Sequence, residues 1–141
     1  MRVGQSFGSR ERYSKIAIFR IAIRMKLREI VSQIRVDPRK LTEYALDPTS
    51  LSGGADKAVL FQRYLGFTQK NYVPLLKQIE NQALDAEAIL GRMNQHGQRY
   101  QVNLVIIGTE GQQEVVRTGW IVATGGDVAK LTTLYVLRRK R

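Results

Sequence analysis

The spacing of apolar residues changes near residue 85, from a helical period to a two-residue period. Before this point, apolar side chains recur every three or four positions, which is typical of one face of an amphipathic helix. After it, apolar and polar residues alternate in short runs separated by glycine-containing turns, as in antiparallel strands. Helices first and strands last predict an α+β domain.

The helical spacing predicts three helices, over residues 15–34, about 55–65 and 71–84. Within the first, the stretch Ile21–Arg28 also alternates apolar and basic residues, as a strand would. The second is expected to end at Gly66, because glycine readily adopts the left-handed C-cap conformation. In the third, Asn71 is the expected N-cap, and Pro74 is tolerated in the first turn.

The two-residue period predicts four strands, near residues 86–93, 98–107, 113–123 and 130–137. The connections between them are short and contain glycine, as β-hairpins require, at residues 94–97, 109–112 and 124–127. Short links place consecutive strands side by side and antiparallel. We therefore expect N-terminal helices packed on one face of a four-stranded antiparallel meander sheet, with the other face open.

The positive charge of the chain is concentrated at its two ends. The 141 residues carry a net charge of +11. Residues 1–40 hold eleven Lys or Arg against three acids, residues 41–137 hold eight against nine, and residues 138–141 are all basic. Because clustered cations bind phosphate chains by releasing counterions, this composition indicates a nucleic-acid partner.

The charge distribution and the predicted elements divide the chain into three parts. Residues 1–35 form a basic N-terminal extension with the amphipathic helix, residues 36–137 form a single α+β domain, and residues 138–141 form a basic tail. The extension has several readings: a solvated surface helix, a membrane-surface helix, an organelle-targeting leader, or sequence upstream of a natural start at Met25. No apolar run approaches the ~20 residues of a membrane span, and cations interrupt any secretion signal. A membrane partner is thus disfavoured, and a cytoplasmic location is expected.

Several catalytic sets are missing from the sequence. The chain has no cysteine and one histidine, His96, which excludes thiolate chemistry and disfavours a zinc site. Gly53 and Gly54 precede Asp56 and Lys57 without the spacing of a phosphate-binding loop. These omissions favour chemistry that needs neither cofactor nor metal, such as RNA cleavage by its own 2′-hydroxyl. That reaction requires a base, a cation at the phosphate and an acid.

Five short motifs resemble an uncharacterised bacterial domain family of polymorphic-toxin and phage contexts: KLTEYAL at 40–46, GADKA at 54–58 with Phe61, LGF at 65–67, RTGWI at 117–121 and KLTTLY at 130–135. The element order is also similar to the barnase–EndoU–colicin–RelE ribonuclease superfold. The resemblance covers about residues 36–137. It implies a toxin-type, metal-independent ribonuclease domain that acts on RNA and has a cognate inhibitor protein.

Position by position, the resemblance implies a site of four residues, Lys57, Arg117, Thr133 and Tyr135. Lys57 and Arg117 are expected to hold the phosphate, and Tyr135 or His96 to move protons. Strict alternation along the last strand places Thr133 and Tyr135 on one face. Relatives carry a histidine beside the helix lysine, whereas alanine and aspartate precede Lys57 here, which leaves open whether catalysis is weak, lost or retained.

Each of these residues also has a structural reading. Lys57 fits a solvated first-turn residue, and Arg117 fits a cross-sheet partner of an acid such as Glu114. Tyr135 and Thr133 fit ordinary strand positions, and His96 fits a hairpin turn. The alternative function is a non-catalytic binding module, in which the basic ends grip nucleic acid and the neutral body contacts a protein.

Overall fold

The computed structural model describes residues 25–137. In chain order the elements are a 3-10 turn at Leu27–Glu29, β1 at Gln33–Arg35, a π-helical turn at Leu41–Ala45, α1 at Gly54–Leu65, α2 at Val73–Gln82, a 3-10 turn at Ala83–Asp85, β2 at Ala88–Asn94, β3 at Gly97–Ile107, β4 at Gln113–Val122 and β5 at Val128–Val136. The predicted α+β class is confirmed. Within residues 25–137, no helix is both long and apolar enough to cross a lipid bilayer.

The sheet has five strands in the order β1-β5-β4-β3-β2. Strands β2 to β5 form antiparallel neighbours in sequence order, as the glycine turns predict. The fifth strand, β1, lies parallel to β5 through pairs from Gln33–Val128 to Arg35–Lys130. The expectation of four strands and a purely antiparallel sheet is therefore wrong. A three-residue strand without a hairpin partner leaves no two-residue period to detect.

The N-terminal helix expected over residues 15–34 is not helical from Met25 onward. Leu27 lies in the 3-10 turn, and Ile34 lies in β1. Leu27 is buried in the core and Ile34 packs against it, so a turn and a strand use the same apolar spacing that a helix would use. Residues 15–24 of that prediction lie outside the described residues. The sheet and core therefore include part of the segment assigned to the N-terminal extension.

The two helices lie close to their predicted positions, and their termini follow local chemistry. Gly66 has φ of 78°, its N–H donates to the Gln62 carbonyl, and the next N–H, of Phe67, donates to the Phe61 carbonyl, so Gly66 is the expected left-handed C-cap of α1. Asn71 does not cap α2, whose N-cap is Tyr72. The Asn71 side chain instead accepts a hydrogen bond from the Thr68 N–H and donates one to the Gly66 carbonyl. Asn71 thus fixes the turn between the helices.

The helices cover one face of the sheet. Large buried side chains in this core come from helices and strands alike, among them Phe61, Leu65, Leu75, Ile79, Leu104, Trp120 and Leu134. Thr118 is buried among them, where its hydroxyl donates to the Val102 carbonyl at 2.6 Å and accepts from Trp120 Nε1 at 2.7 Å. This short chain of hydrogen bonds satisfies the polar atoms of the core in the middle of the sheet.

The opposite face, here called the open face, carries Arg99, Gln101 and Asn103 of β3, Arg117 and Gly119 of β4, and Lys130, Thr133 and Tyr135 of β5. A β-bulge shapes it, because Gly119 pairs with Thr133 whereas Trp120 pairs with Leu131. Thr132 is the extra residue, and its hydroxyl donates to the Gly119 carbonyl at 3.1 Å. The bulge puts Leu131 and Thr133 on opposite faces, where strict alternation puts them on one.

Both outer strands are short, so part of each neighbouring strand lacks a strand partner. β1 pairs only with residues 128–130 of β5. The remaining half of β5 lies beside the π-helical turn and α1, which contact it. These two elements can therefore place side chains around the edge of β5 and onto the open face.

The free edge of β3 is closed by glutamine side chains of α2. Pairing of β2 with β3 ends at Val102. Beyond it, Gln78 accepts from the Ile107 N–H at 2.8 Å and donates to the Ile107 carbonyl at 2.9 Å. Gln82 donates to the Val105 carbonyl at 3.1 Å. The two amides supply the hydrogen bonds that another strand would otherwise supply.

Candidate functional site

A row of polar side chains crosses the open face. Asn103, Arg117 and Tyr135 are direct neighbours on β3, β4 and β5. The Arg117 Nε donates to Asn103 Oδ1 at 3.1 Å. A neutral amide rather than the expected Glu114 accepts this bond, and no ion pair among residues 25–137 involves Arg117. Arg117 is therefore oriented without neutralisation by a described acid. An arginine held in this way is suited to binding an anion.

The next row contains a gap. Gln101, Gly119 and Thr133 are neighbours on the same three strands. A Cβ at Gly119 would lie 3.0 Å from Thr133 Cγ2 and 3.3 Å from the Thr132 hydroxyl. The bulge therefore favours glycine here, and the missing side chain leaves a depression between Arg117 and the β2–β3 hairpin.

Lys57 reaches the same region from the first turn of α1. Its Nζ lies 4.9 Å from the centroid of the Tyr44 ring and 6.0 Å from that of Tyr135. It also donates to the Gly53 carbonyl at 3.4 Å. Ammonium groups at such distances from aromatic rings are attracted to the ring faces. Lys57 is therefore held at the edge of β5, next to Tyr135, which pairs with Arg117 on β4.

Tyr44 comes from the π-helical turn and bonds to the sheet. Its hydroxyl lies 3.4 Å from the Thr133 hydroxyl. The turn can approach α1 this closely because residue 54 is glycine: a Cβ there would lie 1.9 Å from the Tyr44 carbonyl oxygen. Gly54 thus brings Tyr44 and Lys57 together, and any larger residue would force the helix and the turn apart.

The pKa of Tyr44 is lowered from its usual value. Burial opposes ionisation of the hydroxyl, but hydrogen bonding to Lys57 and Thr133 and the positive charges of Lys57 and Lys40 outweigh this effect. A tyrosine that ionises more readily than usual can accept a proton from a substrate hydroxyl. Tyr44 is therefore a chemically suitable proton acceptor in this region.

The strand residues of this region border a cavity of about 250 Å³. Its lining includes Arg117, Gly119, Thr133 and Tyr135, together with Arg99 at the far end. We call Tyr44, Lys57, Arg117, Thr133 and Tyr135 the Lys57–Arg117 site.

The open face is positively charged although the described chain is nearly neutral. Residues 25–137 hold thirteen Lys or Arg and eleven acids. The outward positions of β3, β4 and β5 carry three cations, Arg99, Arg117 and Lys130, and no Asp or Glu. Away from this face, Asp85 forms an ion pair with Arg28, and Asp37 forms one with Arg39. This separation of charge favours an anionic ligand on the open face.

The structure brings four of the five predicted site residues together: Lys57, Arg117, Thr133 and Tyr135. His96 does not lie with these four residues. It lies at the tip of the β2–β3 hairpin, where its backbone N–H donates to Asn94 Oδ1. The hairpin tip is six residues along β3 from Asn103 in the Arg117 row, which is about 20 Å at ~3.3 Å per residue. The exposed turn position fits the structural reading of His96.

Sequence reasoning did not identify Tyr44 and Asn103 as site residues. Tyr44 belongs to the KLTEYAL motif, and that motif is the only signal that marks it. Asn103 has no signal of its own, because its contact with Arg117 depends on the pairing of β3 and β4. Within residues 25–137, no group of three or more His, Cys, Asp or Glu side chains is placed to hold a metal ion.

Comparison with known proteins gives one family and one solved structure. The family model described as "Domain of unknown function (DUF6883)" matches residues 26–138. A chain of the contact-dependent growth inhibition toxin–immunity protein complex from Klebsiella pneumoniae 342 has a similar fold, with a TM-score of 0.59 and 18% identity. The match covers 74% of this chain and 93% of the other. No curated protein was found to match the sequence.

Proposed function

We propose that this chain, which belongs to the DUF6883 family, is a toxin-type domain that cleaves RNA at the Lys57–Arg117 site without a metal ion or cofactor. The observation that carries the proposal is the convergence of two cations and two tyrosines from four separate elements on one cationic face. The similar fold within a toxin–immunity protein complex supports a toxin-related setting.

In the proposed reaction, the substrate supplies its own nucleophile. Tyr44, with its lowered pKa, takes the proton of the ribose 2′-hydroxyl, and the 2′-oxygen forms a bond to the neighbouring phosphorus. Lys57 and Arg117 stabilise the charge on the phosphate oxygens during this step. The bond from phosphorus to the 5′-oxygen breaks, and Tyr135 donates its proton to that oxygen. The products are a 2′,3′-cyclic phosphate and a 5′-hydroxyl.

RNA cleavage in the presence of EDTA tests this proposal. The wild type should cut total RNA or tRNA, whereas Lys57→Met and Arg117→Gln should each lower kcat by about 10²–10³-fold, the usual effect of removing a group that stabilises transition-state charge. Matched controls are Lys77→Met and Arg63→Gln, which change exposed cations on α2 and α1. Equal cutting by all five proteins would refute the assignment, as would loss of wild-type cleavage in EDTA.

A second candidate is a non-catalytic module that binds nucleic acid through its basic ends. Residues 1–24 and 138–141 together carry a net charge of +9, against +2 for residues 25–137. Removing both ends should then abolish RNA binding and its salt dependence. Under the ribonuclease proposal, the trimmed protein keeps its cleavage activity, although with weaker binding.

We also propose a cognate inhibitor protein that covers the open face. An acidic surface would complement Arg99, Arg117 and Lys130 there and would compete directly with RNA. The net charge of +11 makes the present chain a poor mimic of RNA itself, which favours a toxin-type over an immunity-type role. Bound RNA should suppress the change in the Arg117 NMR signals that the inhibitor causes, and bound inhibitor should suppress the change that RNA causes. Both results together would support a shared surface.

A further inference from the structure

The cavity on the open face continues beyond the Lys57–Arg117 site. At its far end lie Arg99 of β3 and Arg92 of β2, and Gly119 lies between them and Arg117. The volume of about 250 Å³ is smaller than the ~300–1,000 Å³ typical of sites that enclose a drug-sized ligand. This open cavity is therefore too small to enclose a drug-sized ligand, and its cations lie at both ends.

Arg99 has the properties of a ligand-binding residue rather than a structural one. Its Nε is buried and has no hydrogen-bond partner among residues 25–137. The same part of the chain contains no ion pair involving Arg99. Burying an unpartnered donor lowers stability, and such groups in folded proteins call for a functional explanation. A ligand anion that draws the guanidinium into the cavity would supply the missing acceptor.

The side chains of Arg99 and Arg117 must extend toward each other to hold successive phosphates of one strand. Arg99 pairs with Ile121, which is four residues from Arg117 along β4, or about 13 Å at ~3.3 Å per residue. Both guanidiniums lie on long side chains that can shorten this distance. Between them, the gap at Gly119 is flanked by the Gln101 amide and the Thr133 hydroxyl, which can bond to a ribose or to a base edge.

We propose that Arg99 binds a second phosphate, adjacent to the phosphodiester held by Lys57 and Arg117, with the intervening nucleotide over Gly119. This inference rests on the proposed function and specifies its substrate as unpaired RNA with at least two consecutive phosphates. A base that is paired in a duplex cannot lie in the Gly119 gap, because its partner strand would then overlap the protein around the gap. Recognition of unstacked nucleotides by side chains is the usual mode for single-stranded RNA.

Short ligands that differ by one phosphate test this proposal. A 2′-deoxy dinucleoside monophosphate, which cannot be cleaved through a 2′-hydroxyl, is compared with the same molecule carrying one added terminal phosphate, at the 5′ or the 3′ end. For wild type, the added phosphate should lower Kd about tenfold at one of the two ends, or 1.4 kcal/mol. Arg99→Met should lose that gain and bind the one-phosphate ligand as wild type does.

Stability separates this role from a structural one. Because Arg99→Met removes an unpartnered buried donor and keeps a long apolar stem, its thermal midpoint should equal or exceed that of wild type. Arg99→Lys should retain part of the gain in affinity, and Arg63→Met, on the exposed surface of α1, should retain all of it.

The outcomes distinguish this inference from the proposed function. No gain from either added phosphate in wild type, or equal weakening of both ligands by Arg99→Met, would overturn the second phosphate site even if RNA is cleaved. A phosphate-dependent gain that Arg99→Met removes, in a protein that does not cleave RNA, would support the second phosphate site and refute catalysis.

Discussion

Replacing Thr118 by valine should destabilise the sheet beneath the candidate site. The Thr118 hydroxyl donates to the Val102 carbonyl and accepts from Trp120 Nε1. Thr118 and Trp120 both have 0% exposure, so water cannot replace the lost partner. Valine has nearly the same shape as threonine, and the effect therefore comes from hydrogen bonding rather than from a cavity.

The expected loss follows from the two broken bonds. An unsatisfied buried donor such as the Trp120 indole N–H costs about 1–3 kcal/mol, and a typical net hydrogen bond contributes ~0.5–1.5 kcal/mol. The added methyl group of valine offsets about 0.8 kcal/mol. The free energy of unfolding should therefore fall by about 2 kcal/mol. For a domain of this size, the thermal midpoint should fall by about 8 °C.

Urea and thermal unfolding followed by circular dichroism measure this loss. The matched control is Thr132→Val, since the half-buried Thr132 hydroxyl donates one bond, to the Gly119 carbonyl, and should cost under ~1 kcal/mol. A double-mutant cycle with Trp120→Phe should show a coupling of about 1–2 kcal/mol, because phenylalanine has no N–H to leave unpaired. Unfolding of Thr118→Val at the wild-type midpoint, or a coupling near zero, would refute the reasoning.

Three further predictions concern RNA cleavage. Tyr44→Phe should lower kcat about 10²-fold. In wild type, kcat should rise with pH and level off below pH 10 because the pKa of Tyr44 is lowered, and this rise should be absent from the variant's pH–rate profile. Asn103→Asp places a carboxylate against Arg117, so KM for RNA should rise about tenfold at constant ionic strength, whereas unchanged KM would show that Arg117 does not bind phosphate. His96→Ala should keep kcat/KM within about twofold; a larger loss would mean that the hairpin reaches the substrate.

The antiparallel part of the sheet could be predicted because hairpins leave local signals. The predicted strand 98–107 corresponds to Gly97–Ile107, and 113–123 corresponds to Gln113–Val122. The parallel strand β1 could not be predicted, since its pairing with β5 joins residues more than ninety positions apart and three residues carry no usable period. Tertiary burial of Leu27 likewise overrides the helical spacing near the N-terminus.

The candidate site was predictable only in part, because register decides which side chains meet. Motif resemblance and alternation indicate Arg117 and Tyr135, and the structure pairs them directly. A slip of one residue in β3 would turn Asn103 to the other face, so its contact with Arg117 cannot be read from local sequence. Tyr44 depends on the close approach at Gly54, which spacing alone does not reveal.

The glutamines of α2 restrict how another protein can attach to this sheet. Because Gln78 and Gln82 already occupy the outward backbone groups of Ile107 and Val105, an incoming chain cannot extend the sheet there by strand addition. Replacing both Gln78 and Gln82 by alanine would expose those backbone groups and promote self-association into larger oligomers. At this edge of the native chain, a partner must instead recognise side chains, which makes its selectivity there depend on surface chemistry rather than on backbone pairing.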